Sequence, residues 1–367
     1  MAGGKIAPIV GRLLVIGFEG TEMTAGLRNL LARAQPAGVI LFARNVVRAE
    51  QTCELLRECR ATLGRPCLTC VDMEGGRVDR FRQALGPAPS AAEVFATGNR
   101  KLFRRHGRVI GDCCRALGFN VDLAPVVDLD APASRPVMRS RVVSADPART
   151  VLYAREFLAG LRQSGVAGAL KHFPGLGEAN LDTHHELARV SKPWKKLWAE
   201  DLAPYRALGR EAAMVLISHA AYPEVTAENA PASLSRRWIG QILRQKIGYR
   251  GLVLSDDLEM GAVLKVAPTE RAAVEFIRAG GDLCLICHKE EAILRSLEAL
   301  IGEAERDRRF MERVKQSAAR VSVFLGKTKS RRPAGRLTSP KVEKLSRQLW
   351  EFGEQVRLEA IRGQDSA

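Results

Sequence analysis

Aromatic residues are scarce in this chain of 367 residues, where Phe, Trp and Tyr together make up 5%. Proteins that bind single-stranded nucleic acids commonly stack the bases on aromatic side chains, and this composition indicates no such platform. The net charge of +16 could attract an acidic partner. Because the basic residues are spread over the whole chain, a solvated basic surface is the simpler interpretation, and we predict no nucleic-acid partner.

Long apolar runs are missing as well. No uninterrupted apolar stretch approaches the ~18–20 residues that a membrane-spanning helix needs. The apolar stretch near the N-terminus is broken by Gly11 and Arg12, and no small-residue cleavage site follows it, unlike in a signal peptide. We therefore predict a strand in this segment, no membrane partner, and a cytoplasmic protein that is most simply a monomer.

The eight cysteines include two pairs with CxxC spacing, Cys67/Cys70 and Cys284/Cys287. Four thiolates could bind zinc. Both pairs, however, lie within apolar runs that are typical of strands, where residues three apart point to opposite faces. In a chain of this length the cysteines do not indicate a disulfide framework. We expect buried, reduced cysteines rather than a metal site.

Short apolar runs rich in Val, Ile and Leu recur along the chain, and they barely alternate with polar residues. Such runs are typical of strands buried on both faces of a parallel sheet. The eight runs cover residues 10–18, 38–42, 67–71, 121–127, 168–173, 214–219, 251–255 and 283–287. Between them lie segments with helical spacing, such as 53–63, 151–164, 197–211 and 272–279. Eight alternating units predict an α/β protein with a (β/α)₈ TIM-type barrel. No GxGxxG motif follows a strand, which disfavours a dinucleotide-binding fold.

The barrel is predicted to span residues 1–325 as a single catalytic domain. The next segment, 326–341, is dense in basic residues and resembles an exposed linker. Residues 342–367 follow with helical spacing of apolar positions, and we expect this C-terminal extension to pack back on the barrel.

Polar and titratable residues cluster where the apolar runs end. In a barrel, these positions share the C-terminal face that carries the active site. The residues are Asp72, Glu74, Lys171, His172, His219, Asp256, Asp257 and His288. Glycoside hydrolysis needs two groups across the scissile bond, a proton donor and a nucleophile or base. Asp256 or Asp257 could supply the carboxylate.

The long loop after Lys171 contains an Asp-x-His pair, Asp182 and His184. This pair is a plausible acid/base, because the aspartate can orient the imidazole and raise its pKa. A metal-dependent hydrolase is the competing interpretation, since the histidines and aspartates could bind zinc or manganese. The first run carries no histidine, although barrel metallohydrolases commonly place an HxH motif there, and we predict no metal and no organic cofactor.

Several motifs in order along the chain resemble the β-N-acetylhexosaminidases of glycoside hydrolase family 3, in particular the single-barrel bacterial enzymes of cell-wall recycling. They are LLVIGFEGTEMT, GVILFARNVV, DMEGGRVDRFR, FNVDLAPVVDL, SRVVSADP, KHFPGLGEANLDTHHEL, SHAAYPEV and VLSDDLEMGAV. The KHFPG…D-x-H loop is the most specific of these motifs.

The resemblance implies a role for each matching residue. Asp256 is the nucleophile that forms a covalent glycosyl-enzyme, His184 is the acid/base, and Asp182 orients His184. The residues implied to bind the sugar at the non-reducing end are Asp72, Arg80, Arg141, Lys171 and His172. The implied substrate is a muropeptide, GlcNAc-β-1,4-anhydroMurNAc with or without peptide, from which a retaining exo-enzyme removes GlcNAc.

The loop departs from the family pattern, which is close to KHFPGHGDTxxDSH. Leu176 replaces a histidine, Glu178 an aspartate and Ala179 a threonine. Three alternatives therefore stay open. They are another exo-glycosidase of the family such as a β-glucosidase, a GlcNAc phosphorylase, and a sugar-binding descendant without catalysis.

Overall fold

Eight short parallel strands pair in chain order and close into a barrel, with β1 hydrogen-bonded to both β2 and β8. The computed structural model describes residues 3–179, 187–226, 229–328 and 337–365. The strands are β1 (Leu14–Ile16), β2 (Gly38–Leu41), β3 (Leu68–Val71), β4 (Val121–Asp122), β5 (Ala167–Phe173), β6 (Met214–Ile217), β7 (Leu252–Asp257) and β8 (Leu283–Ile286). Each of the eight predicted apolar runs contains or overlaps one strand. The predicted α/β barrel is confirmed.

Helices surround the barrel. They are α1 (Gly3–Gly11), α2 (Ala25–Ala34), α3 (Ala49–Leu63), α4 (Arg82–Leu85), α5 (Ala91–Ala96), α6 (Arg100–Leu117), α7 (Arg135–Met138), α8 (Pro147–Ser164), α9 (Trp194–Ala199), α10 (Ala203–Leu208), α11 (Pro223–Thr226), α12 (Gly261–Leu264), α13 (Thr269–Ala279), α14 (Glu290–Arg306), α15 (Arg308–Thr328) and α16 (Ser339–Asp365). Short 3₁₀ turns cover Ala43–Asn45 and Ala232–Leu234, and a π-type helix covers Arg237–Lys246. Within the described ranges, no helix combines the length and hydropathy needed to cross a membrane.

The strands are buried on both faces, which explains their lack of alternation. Residues at one parity fill the barrel interior, among them Ile40, Leu68, Ala169 and Leu254. The residues that alternate with them face outward and pack against the surrounding helices. Val253 is one of these residues. Strands enclosed in this way select β-branched and other apolar side chains at every position.

Two local predictions were wrong. The N-terminal segment is not strand from its start, because α1 precedes β1 and packs against α14 and α15. Ile6, Ile9 and Val10 follow helical spacing. The helix predicted over 197–211 is divided into α9 and α10. Pro204 lies in the first turn of α10, where its missing N–H is tolerated although it would break a continuous helix.

The C-terminal helix α16 packs on α6, α4 and α5. Its buried side chains include Leu345, Leu349, Phe352 and Val356. The Phe352 ring stacks on His106 of α6 with centroids 5.6 Å apart. This apolar stripe attaches α16 to the outer face of the barrel.

The CxxC cysteines are free thiols, and the two members of each pair lie on opposite faces of the sheet. Cys70 and Cys287 contribute to the barrel interior, whereas Cys67 and Cys284 contact the helical layer. Burial raises the pKa of all four thiols. Because the two thiols of each pair lie on opposite faces of the sheet, each packs in the apolar core on its own side.

Candidate active site

A cavity of about 360 Å³ opens at the C-terminal ends of the strands. Six of the eight predicted site residues lie among the described residues, and all six line this one cavity. They are Asp72, Arg80, Arg141, Lys171, His172 and Asp256. The other two, Asp182 and His184, lie outside the described residues.

Strand parity explains why three of these polar side chains face inward. On β3, β5 and β7 the inward positions are Leu68 and Cys70, Ala169, and Leu252 and Leu254. The next position of the same parity on each strand is polar. These positions are Asp72, Lys171 and Asp256. Because side chains alternate along a strand, the barrel core ends in a charged layer that forms part of the cavity wall.

Lys171 is at the centre of this layer. Its side chain is only 2% exposed, and its Nζ lies 2.7 Å from Asp72 Oδ1 and 2.6 Å from Glu74 Oε1. Burial alone would lower the pKa of Lys171, but the two carboxylates outweigh burial and raise it. Lys171 is therefore a fixed cation, and it lowers the pKa of Glu74.

Glu74 is held by a second cation, Arg141. The guanidinium binds the carboxylate in a bidentate manner, with Nε–Oε2 and Nη2–Oε1 distances of 2.8 Å each. Burial opposes ionisation of Glu74, yet Arg141 and Lys171 hold its pKa well below the usual range. A bidentate contact of this kind fixes the orientation of the guanidinium and the carboxylate, and it compensates their charges. Arg141 thus has a fixed position at the cavity wall.

His172 is oriented by Asp128, which is fully buried. His172 Nδ1 lies 2.6 Å from Asp128 Oδ2, and the backbone N–H of His172 donates to the same carboxylate. On the other side of the ring, Arg141 Nη2 lies 3.3 Å from His172 Nε2. Since a guanidinium can only donate, this geometry assigns the proton to Nδ1 and a lone pair to Nε2. The ring of His172 is held between these two partners, with Nδ1 toward Asp128 and Nε2 toward Arg141.

Asp256 lies at the end of β7 and is half-buried, with its carboxylate on the cavity. Its Oδ1 accepts from the backbone N–H of Asp257 at 2.9 Å. Burial opposes ionisation of Asp256, but His219, His172, this N–H and Lys171 outweigh burial and lower its pKa. An ionised carboxylate at this position can act as a nucleophile or stabilise a developing positive charge.

The adjacent Asp257 has a different set of partners. Its Oδ2 lies 3.3 Å from Nε2 of His288, and its Oδ1 accepts from the backbone N–H of Glu259. The side-chain hydrogen bond to Asp257 raises the pKa of His288. Asp257 is therefore engaged at the rim, whereas the carboxylate of Asp256 has no side-chain hydrogen-bond partner among the described residues and accepts from one backbone N–H.

His219, two residues after the end of β6, contacts the end of β7. Its Nε2 lies 2.9 Å from the carbonyl oxygen of Asp257, and its Nδ1 lies 2.8 Å from Ser233 Oγ. Burial lowers the pKa of His219 against the effect of Asp256. With Nε2 donating to a carbonyl, the neutral ring fixes the backbone that presents the two aspartates.

Arg80 reaches the cavity from the loop after β3. Its guanidinium lies 5.7 Å from the ring centroid of Phe42, and its buried Nε has no hydrogen-bond partner among the described residues. A buried donor without a partner costs free energy unless a ligand supplies an acceptor. Arg80 is thus poised to donate to a bound oxygen.

The substituted loop residues have definite places. Leu176 and Ala179 line the cavity, where both are nearly buried. The backbone N–H of Leu176 donates to Asp128 Oδ1 at 2.8 Å, and Tyr222 Oη donates to the Gly175 carbonyl at 2.7 Å. The stem of the loop is therefore held without the missing histidine, and Leu176 makes its wall apolar.

Glu178 is anchored on the side away from the cavity. Its Oε1 lies 3.3 Å from Nζ of Lys192, a buried lysine that also contacts Glu200 and Asp201 at 2.7 and 2.6 Å. Nζ of Lys196 in α9 lies 3.5 Å from the same oxygen. Glu178 thus connects the stem to α9.

Two important residues of the site, Glu74 and Asp128, had no predicted role. Glu74 was noted among the strand-end carboxylates, but its pairing with Lys171 and Arg141 was not expected. Asp128 was missed, although its position in the APVVDL motif shortly after β4 was a usable signal. Across the described ranges, no group of three or more His, Cys, Asp or Glu side chains is arranged to hold a metal ion.

A (β/α)₈ barrel with an ionised aspartate beside a fixed sugar-sized cavity is the architecture of a barrel glycosidase. The chain belongs to glycosyl hydrolase family 3, because the model of that family's N-terminal domain matches residues 7–323. It is 39% identical over 297 residues to a beta-hexosaminidase from Xanthomonas campestris pv. campestris (strain B100), covering 79% of this chain and 88% of the relative.

Solved structures agree with this assignment. A glycoside hydrolase family 3 beta-N-acetylglucosaminidase from Paenibacillus sp. str. FPU-7 superimposes with a TM-score of 0.87 at 30% identity, covering 95% of this chain and 68% of that one. A beta-N-acetylhexosaminidase from Beutenbergia cavernae DSM 12333 gives 0.79 at 26% identity, covering 88% and 98%. The resemblance predicted from the motifs is confirmed.

Proposed function

We propose that this chain is a retaining exo-β-N-acetylglucosaminidase. The observation that carries the proposal is the inward Asp256, ionised and free, in the same cavity as the Lys171 and Arg141 network. The curated beta-hexosaminidase relatives and the β-N-acetylglucosaminidase structures support the sugar specificity. We place every catalytic group in the barrel, residues 1–325, with 326–341 as a linker and 342–367 as a C-terminal extension.

The proposed reaction has two steps. Asp256 attacks the anomeric carbon, the glycosidic bond breaks, and His184 gives its proton to the leaving oxygen. His184 then takes a proton from water, the resulting hydroxide displaces Asp256, and GlcNAc leaves with retained configuration. The role of His184 and its orientation by Asp182 rest on the family motif alone.

The binding groups have complementary tasks in this proposal. Asp72 accepts hydrogen bonds from sugar hydroxyls, while Arg80, Arg141, Lys171 and the neighbouring His172 contact sugar oxygens. The ionised carboxylates near the anomeric carbon favour the positive charge of an oxocarbenium-like transition state. We propose a muropeptide, GlcNAc-β-1,4-anhydroMurNAc with or without peptide, as the substrate of a monomeric, cytoplasmic enzyme, and the net charge of +16 suits this acidic substrate.

The test compares release of p-nitrophenol from the β-N-acetylglucosaminide and the β-glucoside. We expect turnover of the first, abolished in Asp256→Ala and severely reduced in His184→Ala. Asp112→Ala, which removes an exposed carboxylate on α6, is the matched control. Added azide should rescue Asp256→Ala by forming a glycosyl azide, since a small anion can replace the missing nucleophile.

The outcomes separate the alternatives. Preference for the glucoside would move the chain elsewhere in the family, and GlcNAc-1-phosphate released in phosphate buffer would identify a phosphorylase. Binding of GlcNAc without turnover of either substrate would identify a sugar-binding descendant. Full activity in Asp256→Ala would overturn the mechanism.

A further inference from the structure

A second groove of about 540 Å³ adjoins the sugar cavity. The two spaces share Pro136 and Val137 of α7 as lining residues. The short helix α7 is therefore a low wall with the sugar cavity on one side and this groove on the other. A group that extends from a sugar over this wall would enter the groove.

Two arginines, Arg77 and Arg139, line the groove and are exposed. Among the described residues, neither guanidinium has an ion-pair partner. The acidic residue of the groove is Glu93, whose Oε2 accepts from the backbone N–H and Oγ of Ser90 at 2.7 Å each. Two free guanidiniums against one engaged carboxylate leave the groove positive.

Each arginine is adjacent in sequence to a residue of the sugar cavity. Arg77 precedes Val78, and Arg139 follows Met138. The backbone that positions the cavity wall thus also positions the guanidiniums. Surface arginines of this kind add little to stability, and their fork of donors matches the geometry of a carboxylate.

We propose that Arg77 and Arg139 bind a carboxylate on the leaving-group side of the substrate. This inference rests on the proposed function, because the bond is cleaved in the adjoining cavity at Asp256. It assigns recognition of the acidic leaving group of the proposed substrate to this groove. The sugar cavity selects GlcNAc, and the groove on the far side of α7 distinguishes acidic from neutral leaving groups.

The experiment measures kcat/KM for two disaccharides, GlcNAc-β-1,4-anhydroMurNAc carrying a peptide with free carboxylates, and neutral chitobiose. The measured quantity is the ratio of the first value to the second. Exposed ion pairs contribute roughly 0.2–1 kcal/mol each, or up to about fivefold. We expect Arg77→Gln and Arg139→Gln each to lower the ratio by up to about fivefold and the double variant by about tenfold.

Salt and a control variant complete the design. In the wild type the ratio should fall as NaCl rises from low to high concentration, because screening weakens exposed charge pairs, whereas in the double variant it should stay flat. Arg309→Gln removes an exposed arginine of α15 and should leave the ratio unchanged. Arg139→Lys should recover part of the effect, because the charge remains.

An unchanged ratio in the double variant would overturn the proposal, and so would an equal loss in Arg309→Gln, which would indicate a non-specific charge effect. Failure of the proposed function looks different, since the wild type would then turn over neither disaccharide nor the p-nitrophenyl glycoside.

Discussion

Buried charge occurs at both ends of the barrel, and the two networks are built in opposite ways. At the C-terminal end, the cation Lys171 contacts two carboxylates, Asp72 and Glu74. At the N-terminal end, the carboxylate of Asp282, just before β8, contacts three guanidiniums. They belong to Arg244, Arg313 and Arg320.

The pKa directions follow this difference. In the anion-rich network the carboxylates raise the pKa of Lys171 despite its burial. In the cation-rich network burial lowers the pKa of Arg313 to about 10, and the neighbouring arginines act in the same direction. Asp282 also accepts from the backbone N–H of Val253 at 3.0 Å and from Ser317 Oγ at 3.1 Å. Its partners are all protein groups.

The lesson is that buried charge alone does not identify a site. Asp282 joins the start of β7, the π-type helix and α15, and among the described residues Arg313 Nε and Arg320 Nη2 of its network are buried without a hydrogen-bond partner. The Lys171 network lines a cavity, and Asp256 and Arg80 line the same cavity. A buried ion pair contributes to stability only when it is well satisfied, and the open side of the Lys171 network is what indicates function.

The largest expected effect is that of Lys171→Met. Removing the cation leaves the half-buried Asp72 without its charged partner and leaves Glu74 with Arg141 alone. Breaking a buried pair costs about 3–5 kcal/mol, and we expect this loss in the free energy of unfolding together with a fall in kcat/KM of about 100-fold or more. Urea unfolding and p-nitrophenol release measure the two effects. An active variant of unchanged stability would contradict the assigned role.

Asp282→Asn tests the cation-rich network at the N-terminal end of the barrel. Three guanidiniums lose their counter-ion, and we expect the free energy of unfolding to fall by about 3–5 kcal/mol. The site lies at the other end of the barrel, so kcat of the folded variant at low temperature should equal that of the wild type. A loss of kcat without a loss of stability would show that the two ends are coupled.

Asp128→Asn should weaken catalysis more than stability. An amide cannot accept from His172 Nδ1, His172 N and Leu176 N at once, so the ring loses its fixed tautomer. Hydrogen bonds to charged groups contribute roughly 1.5–3 kcal/mol, and we expect kcat/KM to fall about 10- to 100-fold.

Imidazole ¹⁵N NMR should then show Nδ1 of His172 protonated in the wild type and a mixture of tautomers in Asp128→Asn. Asp130→Asn is the control, because Asp130 pairs with Arg135 on the surface. An unchanged His172 spectrum in Asp128→Asn would refute the positioning role.

His106 extends the comparison to a buried titratable group without an ionised partner. Burial lowers its pKa to about 3, so between about pH 6.5 and 3 the unfolded chain binds a proton that the folded chain does not. The contribution of His106 to the free energy of unfolding is fully present above pH 6.5. It falls with decreasing pH by at most about 1.4 kcal/mol per pH unit, the limit for one group. His219, whose pKa is also lowered, adds to the slope.

The substitution His106→Asn should flatten this dependence, because it removes one titrating group while retaining a partner for Tyr153 Oη, which lies 2.8 Å from His106 Nδ1. Urea unfolding at pH 7, 6 and 5 measures the slope above the range where carboxylates titrate. A slope identical to that of the wild type would rule out His106 as its source.

The smallest expected effect is that of Arg313→Met. Asp282 keeps Arg244, Arg320 and the Val253 N–H, and burial already disfavours the charge of Arg313. We expect the free energy of unfolding to change by about 1 kcal/mol or less, since an apolar group can replace a buried charge at little cost. A loss in the free energy of unfolding as large as that of Lys171→Met would contradict the expected difference between the networks at the two ends of the barrel.

Much of the site was predictable from the sequence because it follows strand ends. Asp72, Lys171 and Asp256 each lie two positions after an inward-facing apolar residue, so the alternation along the strand predicts that they face inward too. In a parallel barrel all the strand ends lie at one face. Asp128 was not predictable in the same way. It lies outside a strand and reaches His172 across 44 positions of the chain, and no local pattern encodes such a contact.

The N-terminal helix shows the same limit within a short segment. The stretch before β1 is apolar enough for a strand, and its Ile6, Ile9 and Val10 also match helical spacing. Packing against α14 and α15 decided the outcome, because tertiary contacts outweigh weak local propensities.

The sequence by itself determined the barrel, its eight strands and the face where the charged residues gather, because hydrophobic periodicity and strand order are local properties repeated along the chain. Only the tertiary structure decided which carboxylate is free and which is engaged. Lys171 meets Asp72 across 99 positions, and the hydrogen-bond partners of Asp256 and Asp257 are the neighbours that the closed barrel brings to each. Pairing between distant side chains depends on three-dimensional distance, and that distance exists only once the sheet has closed.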